Sequence, residues 1–593
     1  MKLVDYLTFE ATCLDTNAVE VTATPRFDEE VVFLDIEVSA KEPTRFPEVT
    51  VDVHFPFIDM HSLWTPCPHG NPKALRNKGI PEWWPYYSSH ISHVAPVGCF
   101  YSQRSQSRLA FAFSDCKNIV NVHAGAYEEE NVGRIRLRLF SQSNEELTSY
   151  RGTLRLDTRD IPVFDAIESM ALWHEKLLGG EQMQVPEAAL EPVYSTWYAF
   201  HQDLSQQEIE AQCEMAVSAG CKTIILDDGW QTDDNNRGYK YCGDWQVATS
   251  RFPDFAQHVR NVQGMGMKYM LWLSVPFMGK GCERWNEFED YLLFYSEQNE
   301  TGTLDPRYPQ VRDYLVETFS RVVREYNLDG LKLDFIDEFD MTNAQGSALS
   351  PDPKRDTESL PEAVDMLMVD VRRTLEALNP NIMIEFRQRY IGSMIRKYGN
   401  LFRVHDCPND PIGNRMGIVD LRAFSGSTSV HSDMFTWSPE DTVESASLHF
   451  INSLFAVPQI SPNMRKLSDS HLTMVKHWLG FWVRHKDILM KGKIKTCNPE
   501  MQYPIVESSL DHQKVVAVFS DTPVEVLHDG ITDITIVNGS MNERVILRSL
   551  SEKSVSVSTF DCLGKQLEHK TMELKVGLTE LAQPISGYMK ISV

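Results

Sequence analysis

Two carboxylates follow short apolar segments in a pattern that suits cleavage of a glycosidic bond. In "DGLKLDF", residues 329–335, Lys332 and Asp334 alternate with leucines, and in "RVHDCPND" Asp406 follows another apolar segment. Because an uncompensated buried charge is costly, such residues need a partner or a chemical task. Glycoside hydrolysis gives them one: one carboxylate attacks the anomeric carbon, and the other, as an acid, protonates the leaving oxygen. Lys332 would keep Asp334 ionised for that attack.

Further polar and aromatic side chains end similar apolar segments. They are Trp197, Tyr198, Asp227, Asp228, Trp230, Arg387, Arg389, Arg403, His431 and Asp433. Neither a cysteine–histidine pairing nor a glycine-rich phosphate loop accompanies this set. Structural interpretations stay open, because Asp-Gly in "LDDGW" is a strong turn signal and Lys332 with Asp334 could be a structural ion pair. Asp406 could instead cap a helix, and His431 fits a hydrogen-bonded wall residue.

The elements that must bring these side chains together are short strands that alternate with amphipathic helices from residue 192 onwards. The strand-like segments are "PVYSTWYAF", "CKTIILDDGW", "KYMLWLSVP", "DGLKLDF", "NIMIEFR", "LFRVHD", "GSTSVHSDM" and "LFAVPQI". This alternation predicts an α/β fold, a parallel (β/α)8 TIM barrel, which carries its chemistry at the carboxyl ends of the strands. Asp334 on the fourth strand and Asp406 on the sixth could then lie about 5 to 5.5 Å apart, the separation found in retaining glycosidases.

The segments on either side of the barrel have the alternating pattern of β-structure. Residues 1–160, with segments such as "EVVFLDIEVSA" and "GRIRLRLF", predict an N-terminal β-sandwich that is interrupted by a Pro-, Gly- and Trp-rich loop at 64–87. Residues 161–191 include a stretch with helical spacing and predict a helical linker. The catalytic barrel is expected over 192–496, and a small C-terminal β-sandwich over 497–593.

Composition limits the classes of partner. The net charge of −26 argues against binding to nucleic acid or to an anionic membrane surface, and no apolar segment approaches the roughly 20 residues of a membrane span. The N-terminus lacks an apolar export region, and the eleven scattered cysteines favour reduced thiols. We therefore expect a cytoplasmic protein that takes a small molecule or oligosaccharide and needs no cofactor or metal, and a homo-oligomer is a candidate assembly.

Several of the motifs, taken in order, resemble a known family. "LDDGW", "GDW" with "RFPDF", "GMKYMLWL", "LDGLKLDF" and "RVHDCPND" are similar to segments of the α-galactosidases of glycoside hydrolase family 36, in clan D. That family also contains raffinose and stachyose synthases, and the similarity covers roughly residues 190–490. The resemblance implies a retaining double displacement, with Asp334 as the nucleophile and Asp406 as the general acid and then the base.

The resemblance also implies contacts with the sugar. Asp227 and Asp228 would bind the O4 and O6 hydroxyls, and Lys332 would lie near O3 and O4. Arg403 would approach O2 by this analogy, and Trp230 and Trp197 would form apolar walls. These roles are carried over residue by residue from the matching motifs.

The chain departs from the pattern of many bacterial members at two strand ends. "LSVPF" replaces a Glu-Pro-Glu after the third strand, and "IEFRQRYIG" replaces a Cys- and Gly-rich loop after the fifth. The fifth-strand segment normally lies near O2, so Arg387, Gln388 and Arg389 make an anionic or 2-substituted glycone a candidate. These arginines could equally pair with Glu385 or with other local acids.

The leading interpretation is an exo-acting α-galactosidase, and three others remain. A raffinose synthase-type transferase would use the same aspartates but exclude water from the acceptor site. A metal-dependent barrel enzyme could bind a divalent ion through acidic side chains of "DFIDEFD", namely Asp334, Asp337, Glu338 and Asp340. A noncatalytic carbohydrate binder is the third. The turn-rich segment 341–363 could overhang the pocket or form a surface contact.

Overall fold

Eight parallel strands form a closed sheet at the centre of the computed structural model, which describes residues 3–592 except 14, 16–17, 67–85, 143–144, 390–391 and 527–529. The strands are β1 (Val193–Ser195), β2 (Thr223–Leu226), β3 (Lys268–Ser274), β4 (Gly330–Asp334), β5 (Met383–Arg387), β6 (Leu401–Arg403), β7 (Ser429–His431) and β8 (Gln459–Ile460). Strand β8 pairs with β1, and the amide of Val457 donates to Val430 O at 2.9 Å beside β7. The sheet therefore closes, and the predicted (β/α)8 barrel is confirmed.

Helices cover the outer face of the barrel. The longer ones are α1 (Val163–Leu177), which precedes the barrel, α2 (Gln206–Ala219), α3 (Phe255–Gly264), α4 (Pro309–Tyr326), α5 (Leu360–Leu378), α6 (Pro411–Phe424), α7 (Val443–Asn452) and α8 (Asp469–Lys491). Helix α4 buries Val311, Leu315 and Phe319, which are four residues apart and so share one face. Between β5 and β6 a 3-10 turn, Met394–Lys397, occupies the connection that a helix occupies elsewhere.

Shorter elements decorate the carboxyl face of the barrel. Single-turn helices lie at Trp197–Phe200 and Trp285–Phe288, and 3-10 turns follow β4 at Ile336–Glu338, Met341–Asn343 and Gly346–Leu349. A three-stranded antiparallel sheet is inserted between β3 and α4, formed by Phe277–Gly279, Thr301–Leu304 and Leu292–Ser296.

The N-terminal part is a sandwich of two antiparallel sheets, as predicted. One sheet contains Thr8–Cys13, Val49–Phe55, Val132–Leu139, Val120–Tyr127 and Tyr86–Ser89; the other contains Glu20–Asp28, Val31–Thr44, Leu147–Asp157, Ser107–Phe113, Val97–Tyr101 and Ser62–Trp64. Alternate residues of the longest strand, such as Val32, Leu34 and Ile36, are fully buried between the sheets. Most of the predicted loop at 64–87 lies outside the described residues.

The junction between the N-terminal sandwich and the barrel is tight. His174 of α1 donates through Nε2 to Phe113 O of the sandwich at 2.8 Å, and its Nδ1 accepts from the Ser393 hydroxyl of the barrel at 2.7 Å. Burial lowers the pKa of His174 to about 4, so the ring is neutral. A Cβ atom on the neighbouring Gly392 would lie 2.6 Å from His93 O of the sandwich, and only glycine permits that approach.

The C-terminal part forms the predicted small sandwich. Its seven-stranded sheet contains Lys493–Thr496, Ile505–Leu510, Gln513–Val518, Asp533–Asn538, Tyr588–Ser592, Lys553–Phe560 and Gln566–Leu574; its three-stranded sheet contains Val524–Val526, Arg544–Ser549 and Gly577–Ala582. The first of these strands precedes the expected boundary at 497, and the domain boundaries stay predictions. Across the described part of the chain, no helix is both long and apolar enough to span a membrane.

Candidate active site

The carboxyl ends of the barrel strands bring the sequence-predicted residues to one face. Strands β4 and β5 pair with Lys332 opposite Glu385, so the next inward pair, Asp334 and Arg387, lies level at the exit of the barrel. Asp227, which follows β2, lies within hydrogen-bonding distance of Lys332. The site is therefore assembled from strand ends, as the spacing of the motifs predicted.

Three donors in the described part of the chain hold Asp334. Its Oδ1 accepts from the amide of Phe335 at 2.9 Å and from Nε of Arg387 at 2.8 Å, and its Oδ2 accepts from Nε1 of Trp272 at 3.1 Å. Phe335 has a φ of +65°, which turns the chain directly after β4 and lets its amide reach the preceding carboxylate. Donors to a carboxylate favour its ionised form, and these three also fix the orientation of the Asp334 side chain.

Lys332 does not serve as the bonded partner of Asp334. Its Nζ donates to Oδ2 of Asp227 at 2.7 Å, and both side chains are about 95% buried, with 5% and 4% exposed. The expectation that Lys332 keeps Asp334 ionised by pairing with it is corrected, because the long side chain reaches past β3 to the end of β2. Arg387, which the sequence assigned either to a sugar or to a local acid, bonds to Asp334.

Asp228 is fixed from both sides by amides. Gln202 donates to its Oδ2 and Gln231 to its Oδ1, each at 2.7 Å. The turn that aims Asp227 and Asp228 into the barrel runs through Gly229, whose φ is +113° and whose absent Cβ would lie 2.5 Å from Cα of Gln202. Burial raises the pKa of Asp228 to about 6, against these hydrogen bonds.

Arg403 is the centre of a buried charge cluster. Its NH1 group donates to Asp406 Oδ1 at 2.9 Å and to Asp433 Oδ1, and its Nε lies 3.5 Å from a carboxylate oxygen of Glu385. Asp433 also accepts from the hydroxyl of Tyr198 at 3.0 Å. Burial raises the pKa of Asp433 to about 7, although Arg403 opposes the shift. Arg403 itself is 1% exposed, so these carboxylates hold it inside the barrel.

Asp406 differs from its neighbours because 52% of its side-chain surface is exposed at the mouth of the barrel. Burial of its other side acts to raise its pKa, but Arg403 and Arg387 outweigh this effect and hold the pKa below its ordinary value. The alternative that Asp406 caps a helix is wrong: Asp410 caps α6 by accepting from the amide of Gly413 at 2.9 Å. Asp406 is thus an exposed carboxylate at the mouth of the barrel.

The two tryptophans that were predicted to form apolar walls, Trp197 and Trp230, differ in how deeply they are buried. Trp197 is half-buried, and the guanidinium of Arg237 lies 5.6 Å from the centre of its ring. Trp230 has no exposed surface; it stacks on Trp245 at 5.9 Å and donates through Nε1 to Trp272 O at 2.9 Å. The expectation that Trp230 forms an apolar wall is corrected: it supports Trp272, which in turn bonds to Asp334.

Some residues of the site were missed by sequence reasoning or left without a role. Trp272 could have been found, because it lies opposite Lys332 in the pairing of β3 with β4. Gln202 and Gln231 carry no signal, since they lie in loops and act through Asp228. His431 was expected to be a hydrogen-bonded wall residue, and its Nε2 indeed bonds to Ala189 O at 2.8 Å inside the barrel.

A metal-dependent enzyme was one alternative interpretation of the acidic residues after β4. In the ranges that the structure covers, no group of three or more His, Cys, Asp or Glu side chains is arranged to hold an ion. Asp340, one of the acidic residues after β4, accepts from the amide of Thr342 at 2.7 Å.

The fold is a (β/α)8 barrel with carboxylates at the carboxyl ends of its strands, and comparison with known proteins assigns a family. The Melibiase family model matches residues 187–492, just over half of the chain. The chain belongs to the Melibiase family.

Individual relatives are distant. α-Galactosidase 2 from Pediococcus pentosaceus is 26% identical over 162 residues, which are 26% of this chain and 22% of that protein. α-Galactosidase C from Emericella nidulans is 21% identical over 213 residues, 33% of this chain and 26% of that protein. The alignments thus span about a quarter of these curated relatives.

Solved structures share the fold over nearly the whole chain. The family 36 α-galactosidase AgaA from Geobacillus stearothermophilus is 14% identical with a TM-score of 0.63, and the match covers 97% of this chain and 81% of that one. The α-galactosidase from Lactobacillus brevis is also 14% identical at a TM-score of 0.63, with coverage of 99% and 85%.

Proposed function

We propose that this protein is a retaining, exo-acting glycoside hydrolase that releases a terminal α-linked galactose, or a close relative of it, by double displacement. The observation that carries the proposal is the contrast between two carboxylates at one barrel mouth. Asp334 is fixed by three donors and 9% exposed, whereas Asp406 is open and 52% exposed. Membership of the Melibiase family and the α-galactosidase names of the relatives support the same conclusion.

In the first step, a carboxylate oxygen of Asp334 attacks C1 of the sugar while Asp406 gives a proton to the leaving oxygen. Asp406 must bind this proton from solvent before the step, because Arg403 and Arg387 favour its anion. The C1–O bond to the aglycone breaks, and a glycosyl ester with Asp334 remains. In the second step, Asp406 takes a proton from water, the water oxygen attacks C1, and the ester bond breaks. Its electron pair returns to Asp334, so the configuration at C1 is retained.

The glycone would be recognised by Asp227 and Asp228. Both are nearly fully buried acceptors at the end of β2, and an axial O4 beside O6 distinguishes galactose from glucose on that edge. The Lys332 ammonium is bonded to Asp227, so the lysine can donate to one sugar hydroxyl while the aspartate accepts from the adjacent one. An anionic glycone stays as a second candidate, but Arg387, the residue that suggested it, is already bonded to Asp334.

The experiment combines a substrate screen with one variant. Aryl α-glycosides are offered to the wild type: galactoside, N-acetylgalactosaminide, galacturonide and glucoside. Asp334→Asn should nearly abolish turnover of the best substrate, because an amide cannot form the glycosyl ester. Asp340→Asn, a matched change six residues further on, should keep it. An active, folded Asp334→Asn enzyme would refute the nucleophile assignment.

Product analysis and chelation address the remaining alternatives. The family 36 enzyme AgaA has been solved as a variant in complex with raffinose, an oligosaccharide with an α-galactosyl end. If this chain were a transferase, adding an acceptor sugar would yield a longer oligosaccharide at the expense of free galactose. Loss of activity after exhaustive chelation would favour the metal-dependent alternative, and sugar binding without turnover would favour the noncatalytic binder.

A further inference from the structure

Arg387 and Asp334 form a direct ion pair at the exit of two neighbouring strands. Nε of Arg387 lies 2.8 Å from Oδ1 of Asp334, and the side chains are 14% and 9% exposed. In this poorly solvated place, a charge pair is much stronger than on the protein surface.

The guanidinium of Arg387 is held in one orientation. Its NH1 group donates to the carbonyl of Gln388 at 3.1 Å, and its carbon lies 5.3 Å from the centre of the Phe335 ring. Phe335 also supplies the backbone amide that bonds to Asp334. The arginine therefore cannot swing away freely when the charge of its partner changes.

The charge of Asp334 changes during the proposed reaction, and that of Arg387 does not. In the free enzyme the carboxylate is an anion facing a cation. In the glycosyl ester the same oxygen atoms carry no net charge, so the ion pair is lost. It forms again when the C1–O bond of the ester breaks and the electron pair returns to the carboxylate.

We propose that Arg387 is a positioning residue that makes Asp334 a good leaving group, so that it drives hydrolysis of the glycosyl ester rather than recognition of the sugar. This inference rests on the proposed function. An interaction that gains strength only as the ester breaks lowers the barrier of that step. The same cation weakens Asp334 as a nucleophile. Arg387 therefore slows ester formation and speeds ester hydrolysis, so that less of the enzyme accumulates as the ester.

Removal of the charge should therefore let the intermediate accumulate. In Arg387→Met, ester formation should be maintained or accelerated, while ester hydrolysis slows. Accumulation of a covalent intermediate lowers KM together with kcat and produces a burst of the first product. A residue that only binds the sugar would raise KM and produce no burst.

Stopped-flow kinetics with 4-nitrophenyl α-galactoside test the inference. We expect Arg387→Met to release a burst that approaches one nitrophenolate per active site, with a larger amplitude than the wild type. Its kcat should be lower than that of the wild type by about tenfold or more, and its KM should be lower as well. Arg387→Lys should restore part of kcat because it restores the charge. Arg373→Met, which removes an exposed positive charge on α5, should behave like the wild type.

The outcomes separate this inference from the proposed function. A raised KM with unchanged kcat, or a lowered kcat without a burst, would overturn the role of Arg387 while α-galactosidase activity stands. If the wild type cleaves no aryl α-galactoside, or if Asp334→Asn stays active, the proposed function itself fails. Should Arg387→Met fold poorly, Arg387→Gln removes the charge while keeping a polar side chain, and the same readouts decide.

Discussion

The exposure of Asp406 gives it a role that its buried neighbours cannot fill. Asp433 and Glu385 are fully buried, so neither can reach a leaving group. Asp406→Ala should slow cleavage of an α-galactosyl oligosaccharide by about 100-fold or more, because an alkoxide needs a proton as it leaves. Activated aryl galactosides should lose roughly tenfold or less, since their phenolates need little assistance. The measurement is kcat/KM on both substrates, and equal losses would point to a structural role.

Asp228 makes a separate prediction about sugar identity. A galactose hydroxyl that loses this acceptor is left unpaired, at about 1 to 3 kcal/mol. Asp228→Ala should therefore lower kcat/KM for an α-galactoside by roughly ten- to a hundredfold and narrow its lead over the α-glucoside. Asp233→Ala, an exposed neighbour, is the control. Proportional loss on both sugars would make Asp228 part of the scaffold.

Among the elements, the strands were predictable and the pairing of their side chains was not. Each of β1 to β8 is a short apolar segment followed by polar residues, and parallel strands must place those ends together. The group that a side chain contacts depends on the length of that side chain and on how deeply it is buried. Lys332 is two residues from Asp334 but bonds to Asp227, and Trp230 lies below the surface that its position suggested. Neither fact follows from the order of residues along the chain.

The segment after β4 is anchored by a second buried charge cluster. Asp305 and Arg307 are fully buried and 2.8 Å apart, and Arg307 also donates to Ala348 O at 2.8 Å. Arg355 lies 3.3 Å from Asp305 and joins the far end of the segment to the same cluster. These contacts fix Ala348 and Arg355 of the segment to the residues that directly precede α4.

Breaking the Asp305–Arg307 ion pair should increase the mobility of the segment without changing the active site. Arg307→Met leaves Asp305 with a weaker partner, and loss of one member of a buried pair is expected to lower the free energy of unfolding by about 3 kcal/mol. Limited proteolysis with mass spectrometry should then find new cleavage within 341–359. Arg373→Met, which removes an exposed pair with Asp370, should change neither property. An unchanged digestion pattern would show that other contacts hold the segment.

On the scale of the whole molecule, His174 connects the parts of the chain and makes stability depend on pH. Its pKa is about 4 when folded, against an ordinary value of 6.5. Below pH 6.5 the unfolded chain therefore binds a proton that the folded protein does not take up until about pH 4. The free energy of unfolding therefore decreases as the pH falls through this window. At pH 5, His174 lowers it by about 2 kcal/mol relative to its value above pH 6.5.

His174→Gln tests this linkage. It should lower stability at pH 7, since it disturbs the hydrogen bonds to Phe113 and Ser393, but it should lose less further stability between pH 7 and pH 5 than the wild type. Thermal unfolding at both pH values measures the difference. His512→Gln, a change at an exposed histidine, is the control. A variant with the same pH dependence as the wild type would contradict the assignment.

The contact of Gly392 with His93 O has a consequence for how such a chain can be recombined. The β5–β6 connection includes Gln388 and Arg389, where we expect a departure from the family pattern, and its backbone packs against the N-terminal sandwich at Gly392. A chimera that grafts this connection from a relative onto the present sandwich would meet a foreign surface at that point. The connection and the sandwich should therefore be inherited together, so a change of specificity at the fifth strand is expected to bring the N-terminal sequence with it.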